Sequence, residues 1–151
     1  MKNNKKELLF ITRNRIGDAI LTSGILAYLI KKHPGIKVTV VASPVSAPLF
    51  EHIPGLNKIH IIQRGKGKLR QQFYAALLAC MKYWSIVVDC KGGIGCIVPA
   101  GKRYWRYPKT TSRRPRVEKY SRLIGLETIE KPKIFYTQKN IRRCIFSPLG
   151  Y

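Results

Sequence analysis

Residues Leu8–Pro34 have the sequence LLFITRNRIGDAILTSGILAYLIKKHP, which predicts a strand, a turn and a helix in succession. The apolar run Leu8–Thr12 favours a buried strand. Gly17 and Asp18 follow it at the start of a helix that Pro34 closes. In an open α/β sheet such a strand-to-helix turn lies at the carboxyl edge, where ligands bind. The turn is therefore the first candidate site.

Strand and helix patterns alternate along the rest of the chain. The runs with strand character are Lys37–Ala42, Lys58–Ile62, Ser85–Asp89 and Arg103–Trp105. Helical patterns lie around Ser46–His52, from Leu69 to Cys80, in a short segment up to Ala100, and from Val117 to Ile124. This alternation predicts an α/β fold with a doubly wound parallel sheet and right-handed crossovers.

The charge of the chain is extreme, whereas its length and apolar content are ordinary. With 151 residues, 45% of them apolar, the chain has room for one domain with a real core and is too apolar for a disordered chain. Its 29 Lys and Arg against 7 Asp and Glu give a net charge of +22. This excess predicts attraction to nucleic acid, an anionic membrane or a phosphorylated substrate without choosing among them. A basic genome composition or host lineage is the alternative explanation of this charge.

The cysteines and the apolar runs indicate where the chain resides. Four cysteines show no metal-ligand spacing, so we expect free thiols in a reducing compartment: Cys80, Cys90, Cys96 and Cys144. The longest mostly apolar run, Ala19–Ile30, is shorter than the roughly 20 residues that cross a bilayer. No signal-peptide pattern is present. We expect a soluble or peripheral protein on the cytoplasmic side, without a metal.

Asp18 has two possible roles, which are compatible with each other. Its carboxylate could cap the free backbone N–H groups of the helix. It could also act as a general base aimed at a substrate hydroxyl. Arg13 and Arg15 precede it and would bind an anionic substrate.

Asp89 and the glycines after it form a second candidate. Asp89 ends its strand where an α/β protein places a binding residue, although the local sequence favours a turn former before a glycine run. Gly92–Gly95 could approach a phosphate through bare backbone, but the run lacks a full dinucleotide or P-loop pattern.

A basic segment with aromatic residues forms a third candidate, Arg103–Arg116, which contains Tyr104, Trp105 and Tyr107. Arginines among aromatics suit single-stranded nucleic acid, and they suit a sugar-phosphate equally. A solvated charged loop is the alternative without function.

The order of these motifs resembles the glycosyltransferase family 9 heptosyltransferases. Phe10–Ser23, with the sequence FITRNRIGDAILTS, resembles the strand, basic turn, Gly-Asp pair and helix at the start of those enzymes. Further matches follow in the same order, at His33–Thr39, Ser43–Pro44 with Ala47–Phe50, Pro54–Ile59 and Asp89–Gly92. The resemblance covers roughly Leu8 to Leu126.

The resemblance implies a GT-B fold, in which two Rossmann-like domains flank a cleft, and this chain is expected to be the N-terminal half. Residues 1–126 would form the acceptor-side Rossmann-like domain. Residues 127–151, with an extended segment at Pro132–Tyr136, would lead toward a missing C-terminal donor-binding domain. The family enzymes are much longer, so we expect a truncated chain from a frameshifted or split gene, inactive alone.

The resemblance also implies a reaction. Family members transfer heptose from ADP-heptose to the lipopolysaccharide inner core, with inversion and without a metal or other cofactor. The role of catalytic base falls on Asp18. The residues expected on the acceptor side are Arg13, Arg15, Gly17, Thr22, Asp89 and Gly92.

The expected partners follow from the same resemblance. They are the lipopolysaccharide core acceptor, the anionic inner membrane surface, to which a cytoplasmic chain would bind peripherally, and a separately encoded C-terminal domain. No specific nucleic acid is expected on this reading. Two alternatives stay open from the residues: a non-catalytic basic nucleic-acid-binding module, and a non-functional remnant with an exposed apolar face. Whether the chain itself is an enzyme is left open.

Overall fold

The computed structural model describes residues 6–62, 80–92, 97–105, 116–126 and 131–135. Their elements, in chain order, are β1 (Glu7–Ile11), α1 (Ile16–Lys32), β2 (Lys37–Ala42), a short 3-10 helix (Ala47–Phe50), β3 (Leu56–Ile61), β4 (Trp84–Asp89), β5 (Ala100–Trp105) and α2 (Arg116–Leu123).

The described strands form one sheet in the order β3-β2-β1-β4-β5, and every neighbouring pair is parallel. The chain runs outward from β1 to β2 and β3, then returns to the other side of β1 with β4. Strand order therefore reverses between β1 and β4, and ligands of open α/β sheets bind at such a switch point. The prediction of a Rossmann-like, doubly wound parallel sheet is confirmed.

Both faces of the sheet are buried, which explains the continuous apolar strands. Leu8 and Phe10 of β1 pack with Leu26 of α1 on one face, and α2 joins the same cluster. Leu9 and Ile11 point to the opposite face, into a second cluster. Because side chains alternate along a strand, β1 contributes apolar residues to two cores at once.

Helix α1 covers the first face. It is 17 residues long, and no helix among the described residues is long and apolar enough to span a membrane.

Some element boundaries differ from the sequence predictions. Strand β3 begins at Leu56 and β5 at Ala100, earlier than predicted in both cases. The predicted helical segment up to Ala100 is wrong for its described part, since residues 97–99 form a turn and a bend. The helix predicted around residues 46–52 is only a 3-10 turn with Pro48 in its first positions. The helix predicted from Leu69 lies outside the described residues, apart from Cys80.

Residues 131–135 lie against α1. That residues 127–151 lead toward a second domain stays a prediction. The Lys133 amide donates a 3.0 Å hydrogen bond to the Ser23 hydroxyl, and Phe135 packs against the core cluster on the α1 side. The division of the chain at 126/127 stays a prediction.

Two glycines with the same backbone conformation allow the packing before β3 to be tested. Gly35 and Gly55 both have φ of 76°; a Cβ at Gly55 would overlap the Ile36 carbonyl oxygen, whereas one at Gly35 meets nothing within 4 Å. Gly35→Ala should cost about 1–2 kcal/mol of unfolding free energy, from backbone strain alone. We expect Gly55→Ala to cost more by at least about 1 kcal/mol, measured by urea denaturation. Equal losses would contradict the close approach at Gly55.

Candidate active site at the carboxyl edge of the sheet

The turn between β1 and α1 lies at the carboxyl edge of the sheet, as the sequence predicted, and the strand order places it at the switch point between β1 and β4. Its Arg15 is the N-cap residue of α1, with an extended backbone and no side-chain capping bond. Asp18 is the third residue of the helix, so it occupies the first turn rather than the capping position. Its side chain is 5% exposed. A carboxylate here is favoured by the positive end of the helix dipole.

Arg13 forms the electrostatic partner of this carboxylate. Its Nη1 lies 3.7 Å from Asp18 Oδ2 and donates a 3.4 Å hydrogen bond to the Tyr120 hydroxyl. The hydrogen bond to Tyr120 is the main cause that raises the pKa of Arg13, the Asp18 charge adds to it, and burial opposes both. With 32% of its side chain exposed, Arg13 can meet an anionic ligand, whereas only 5% of the Asp18 side chain is exposed.

Tyr120 is a site residue that the sequence reasoning missed. It lies on α2, 107 positions after Arg13, and is 1% exposed. The helical pattern identified it only as one member of an apolar face. A buried tyrosine hydroxyl nevertheless needs a hydrogen-bond partner, and that requirement was the available signal.

The buried hydroxyls of Thr12 and Thr22 lie next to the turn between β1 and α1. Thr22 is fully buried; its hydroxyl donates to the Ala19 carbonyl at 2.9 Å and lies 3.5 Å from the hydroxyl of Thr12, which follows β1. These contacts tie the first turns of α1 to the end of β1. Contact between Thr22 and an acceptor stays a prediction.

Ser43, just after β2, fixes the turn from the neighbouring strand, whereas the sequence analysis used Ser43–Pro44 only as part of the family resemblance and as the end of a strand. The Ser43 hydroxyl donates to the Asn14 carbonyl at 2.9 Å, and it lies 2.9 Å from the Ser46 hydroxyl. Both serines are buried. The backbone between Arg13 and Arg15 is therefore held by a side chain 29 positions away.

Asp89 forms the turn after β4. Its Oδ1 accepts hydrogen bonds from the backbone amides of Lys91 at 2.9 Å and Gly92 at 2.8 Å, and Gly92 has φ of 75°. The interpretation of Asp89 as a turn former is confirmed. Asp89 also pairs in register with Ile11, so its turn neighbours the β1–α1 turn. Acceptor binding by Asp89 and Gly92 stays a prediction.

The other predicted candidates are partly outside the described residues. Arg15 and Gly17 are described and exposed on the β1–α1 turn. Residues 93–96 and 106–115, which hold the rest of the glycine run and most of the basic segment, are not described, so the nucleic-acid alternative stays a prediction. Across the described part of the chain, no three His, Cys, Asp or Glu side chains form a group that could hold a metal ion.

The contribution of the Arg13–Tyr120 hydrogen bond to stability can be compared with that of an exposed pair of the same length. Tyr120→Phe removes a buried hydroxyl that accepts from Arg13, and we expect a coupling energy of about 1 kcal/mol in a double-mutant cycle with Arg13→Ala. Tyr28→Phe in a cycle with Lys32→Ala removes an exposed contact of the same 3.4 Å length. That control should couple by no more than about 0.5 kcal/mol. Urea denaturation measures both, and equal coupling would contradict the special position of Tyr120.

Comparison with known proteins confirms the fold. No family model and no curated protein matches this chain. Among solved structures, a family 9 glycosyl transferase from Veillonella parvula aligns with a TM-score of 0.70 at 15% identity, over 97% of this chain and 49% of that one. E. coli ADP-heptose lps heptosyltransferase II aligns with a TM-score of 0.59 at 16% identity, over 93% of this chain and 50% of that one. E. coli heptosyltransferase WaaC with ADP-2-deoxy-2-fluoro heptose aligns with a TM-score of 0.55 at 15% identity, over 96% of this chain and 49% of that one.

Identities this low carry information about the fold alone. The chain spans about half the length of the structures it matches. The resemblance predicted from the sequence is thus confirmed at the level of the fold: this chain folds as one half of a family 9 glycosyltransferase does.

Proposed function

We propose that this chain is the acceptor-binding part of an inverting, metal-independent glycosyltransferase that transfers heptose from ADP-heptose to a lipopolysaccharide inner core. The observation that carries the proposal is the Arg13–Asp18 pair, at 3.7 Å, on the turn at the switch point of this sheet. The fold likeness to heptosyltransferases supports the choice of donor and acceptor.

In the proposed reaction Asp18 is the general base. Its carboxylate takes the proton of an acceptor hydroxyl while that oxygen forms a bond to the anomeric carbon of the donor. The bond from the anomeric carbon to the diphosphate breaks, its electron pair leaves with ADP, and the configuration inverts. Arg13 and Arg15 bind the acidic sugars and phosphates of the acceptor, which holds the reacting hydroxyl against Asp18.

The donor-binding half of the proposed enzyme is supplied by another part of the polypeptide or by a separate chain. The solved structures that match this chain are about twice its length. Positioning both reactants supplies much of the rate enhancement in a two-substrate transfer. A chain that binds only the acceptor is therefore not expected to catalyse the transfer.

We therefore expect the 151-residue chain alone to transfer no heptose. The measurement incubates purified chain with ADP-heptose and inner-core acceptor and follows the product by mass spectrometry, with a complete heptosyltransferase as the positive control. If the isolated chain transferred heptose and Asp18→Ala abolished that transfer, the expectation that the chain is inactive alone would be wrong. The same result would support Asp18 as the base.

Acceptor binding by the isolated chain tests the site directly. Arg13→Ala should weaken the binding of inner-core oligosaccharide at least about tenfold, because it removes charge-assisted hydrogen bonds. Asp18→Asn should leave binding unchanged or tighter, because it removes a negative charge that faces an anionic ligand. Isothermal titration calorimetry measures both.

The control for this experiment is Arg122→Ala. Arg122 is 57% exposed and pairs with Glu118 on α2 at 3.2 Å, so the variant removes the same charge from an ordinary surface pair. A loss of affinity equal to that of Arg13→Ala would show that net charge, and not the site, binds the acceptor. Thermal melts must show that each variant is folded.

A further inference from the structure

A groove of about 660 Å³ lies at the other end of α1, remote from the candidate active site. Residues that line it come from the last turns of α1, the loop before β3 and the segment 131–135: Tyr28, Lys31, Lys32, Pro54, Lys133 and Phe135. Helix α1 starts at the carboxyl edge of the sheet and ends just before β2 begins. The groove therefore lies near the amino edge, and its lysines on α1 are about 20 Å along the helix from Asp18.

One wall of the groove is built by a long-range contact. The segment 131–135 is held on α1 by the hydrogen bond from the Lys133 amide to Ser23 Oγ and by the packing of Phe135 against the core. Contacts with α1 and the core therefore hold this wall in position.

The described lining of the groove is basic. Among the residues that the structure describes, three lysines and no carboxylate line it. Lys32 Nζ lies 5.5 Å from the centre of the Tyr28 ring and 3.4 Å from its hydroxyl, and Lys133 Nζ lies 5.5 Å from the centre of the Phe135 ring. Each ammonium has three donors, so those not turned to a ring remain able to bind the oxygens of a phosphate.

An exposed apolar residue follows one of these lysines in the chain. Ile134, between Lys133 and Phe135 in the chain, is 44% exposed. Lysines, aromatic rings and an exposed aliphatic side chain together are the composition of surfaces that bind at a membrane interface. A soluble phosphate ligand would account for the lysines but not for Ile134.

We propose that this groove binds the phosphate headgroups of an anionic phospholipid membrane, with Ile134 in contact with the lipid. The three lysines complement the headgroup charge, and the net charge of +22 draws the chain to the same surface at longer range. The proposal does not depend on glycosyl transfer, because a phospholipid surface without sugars suffices for it.

The test must separate the groove from the net charge. Lys31→Gln/Lys133→Gln removes two charges from the groove. The matched control, Lys37→Gln/Lys58→Gln, removes two exposed charges; Lys37 and Lys58 alternate in β2 and β3 with residues that pack toward α1, so they lie on the opposite face of the sheet. Co-sedimentation compares vesicles of equal parts phosphatidylcholine and phosphatidylglycerol with pure phosphatidylcholine at physiological salt.

We expect wild type to bind the mixed vesicles and not pure phosphatidylcholine. The groove variant should lose roughly 30-fold in affinity, and the control no more than about threefold. Equal losses in the two variants, or no binding to the mixed vesicles by folded wild type, would overturn the proposal.

Two further measurements identify the ligand. Ile134→Ser should weaken vesicle binding, and millimolar inorganic phosphate at constant ionic strength should not displace wild type. Displacement by phosphate together with an unaffected Ile134→Ser would overturn the membrane assignment in favour of a free-phosphate site. The variant Lys31→Gln/Lys133→Gln leaves Arg13 and Asp18 unchanged, so the vesicle result and the acceptor result are independent.

Discussion

The pairing of β1 with a parallel strand on each side determines the rest of this structure. At its carboxyl end the Thr12 amide donates to the Val41 carbonyl at 3.0 Å, and the Cys90 amide donates to the Ile11 carbonyl at 3.0 Å. Three strands consequently end at one level, and the turns after them meet at one edge. A slip of β1 by one residue would send Leu8 and Phe10 to the wrong face of the sheet and misalign its end with Asp89.

This pairing brings both aspartates of a very basic chain to the same edge of the sheet. Asp18 and Asp89 are its only aspartates, and both lie at the carboxyl edge of the sheet. They differ in what they do there: Asp89 Oδ1 binds the backbone of its own turn, whereas Asp18 faces a cation across 3.7 Å. In the second arrangement a buried carboxylate lies beside a partly exposed arginine at a binding edge, and the proposed chemistry rests on this charge pair.

Sequence reasoning identified the elements and the local part of the site because both have short-range signatures. Strands buried on two faces are continuous apolar runs, and the pair Arg13 and Asp18 lies within six residues. The contacts of Tyr120 with Arg13 and of Ser43 with Asn14 join positions 107 and 29 residues apart. No local pattern encodes such contacts, since they depend on how α2 and the loop after β2 pack. The early start of β3 has a similar cause, because the register with β2 shifts between Val38 and Thr39.

The two proposed sites constrain each other through α1. A helix of 17 residues is rigid and about 25 Å long, and it carries Asp18 in its first turn and Lys31 and Lys32 in its last. A chain that rests on a membrane through the lysine end therefore holds the carboxylate well above the headgroups. A reacting hydroxyl next to the lipid would not reach Asp18 in that orientation. The two proposals together therefore require an acceptor whose reacting hydroxyl stands several sugar units above the bilayer, as in a glycolipid core and not in a simple phospholipid.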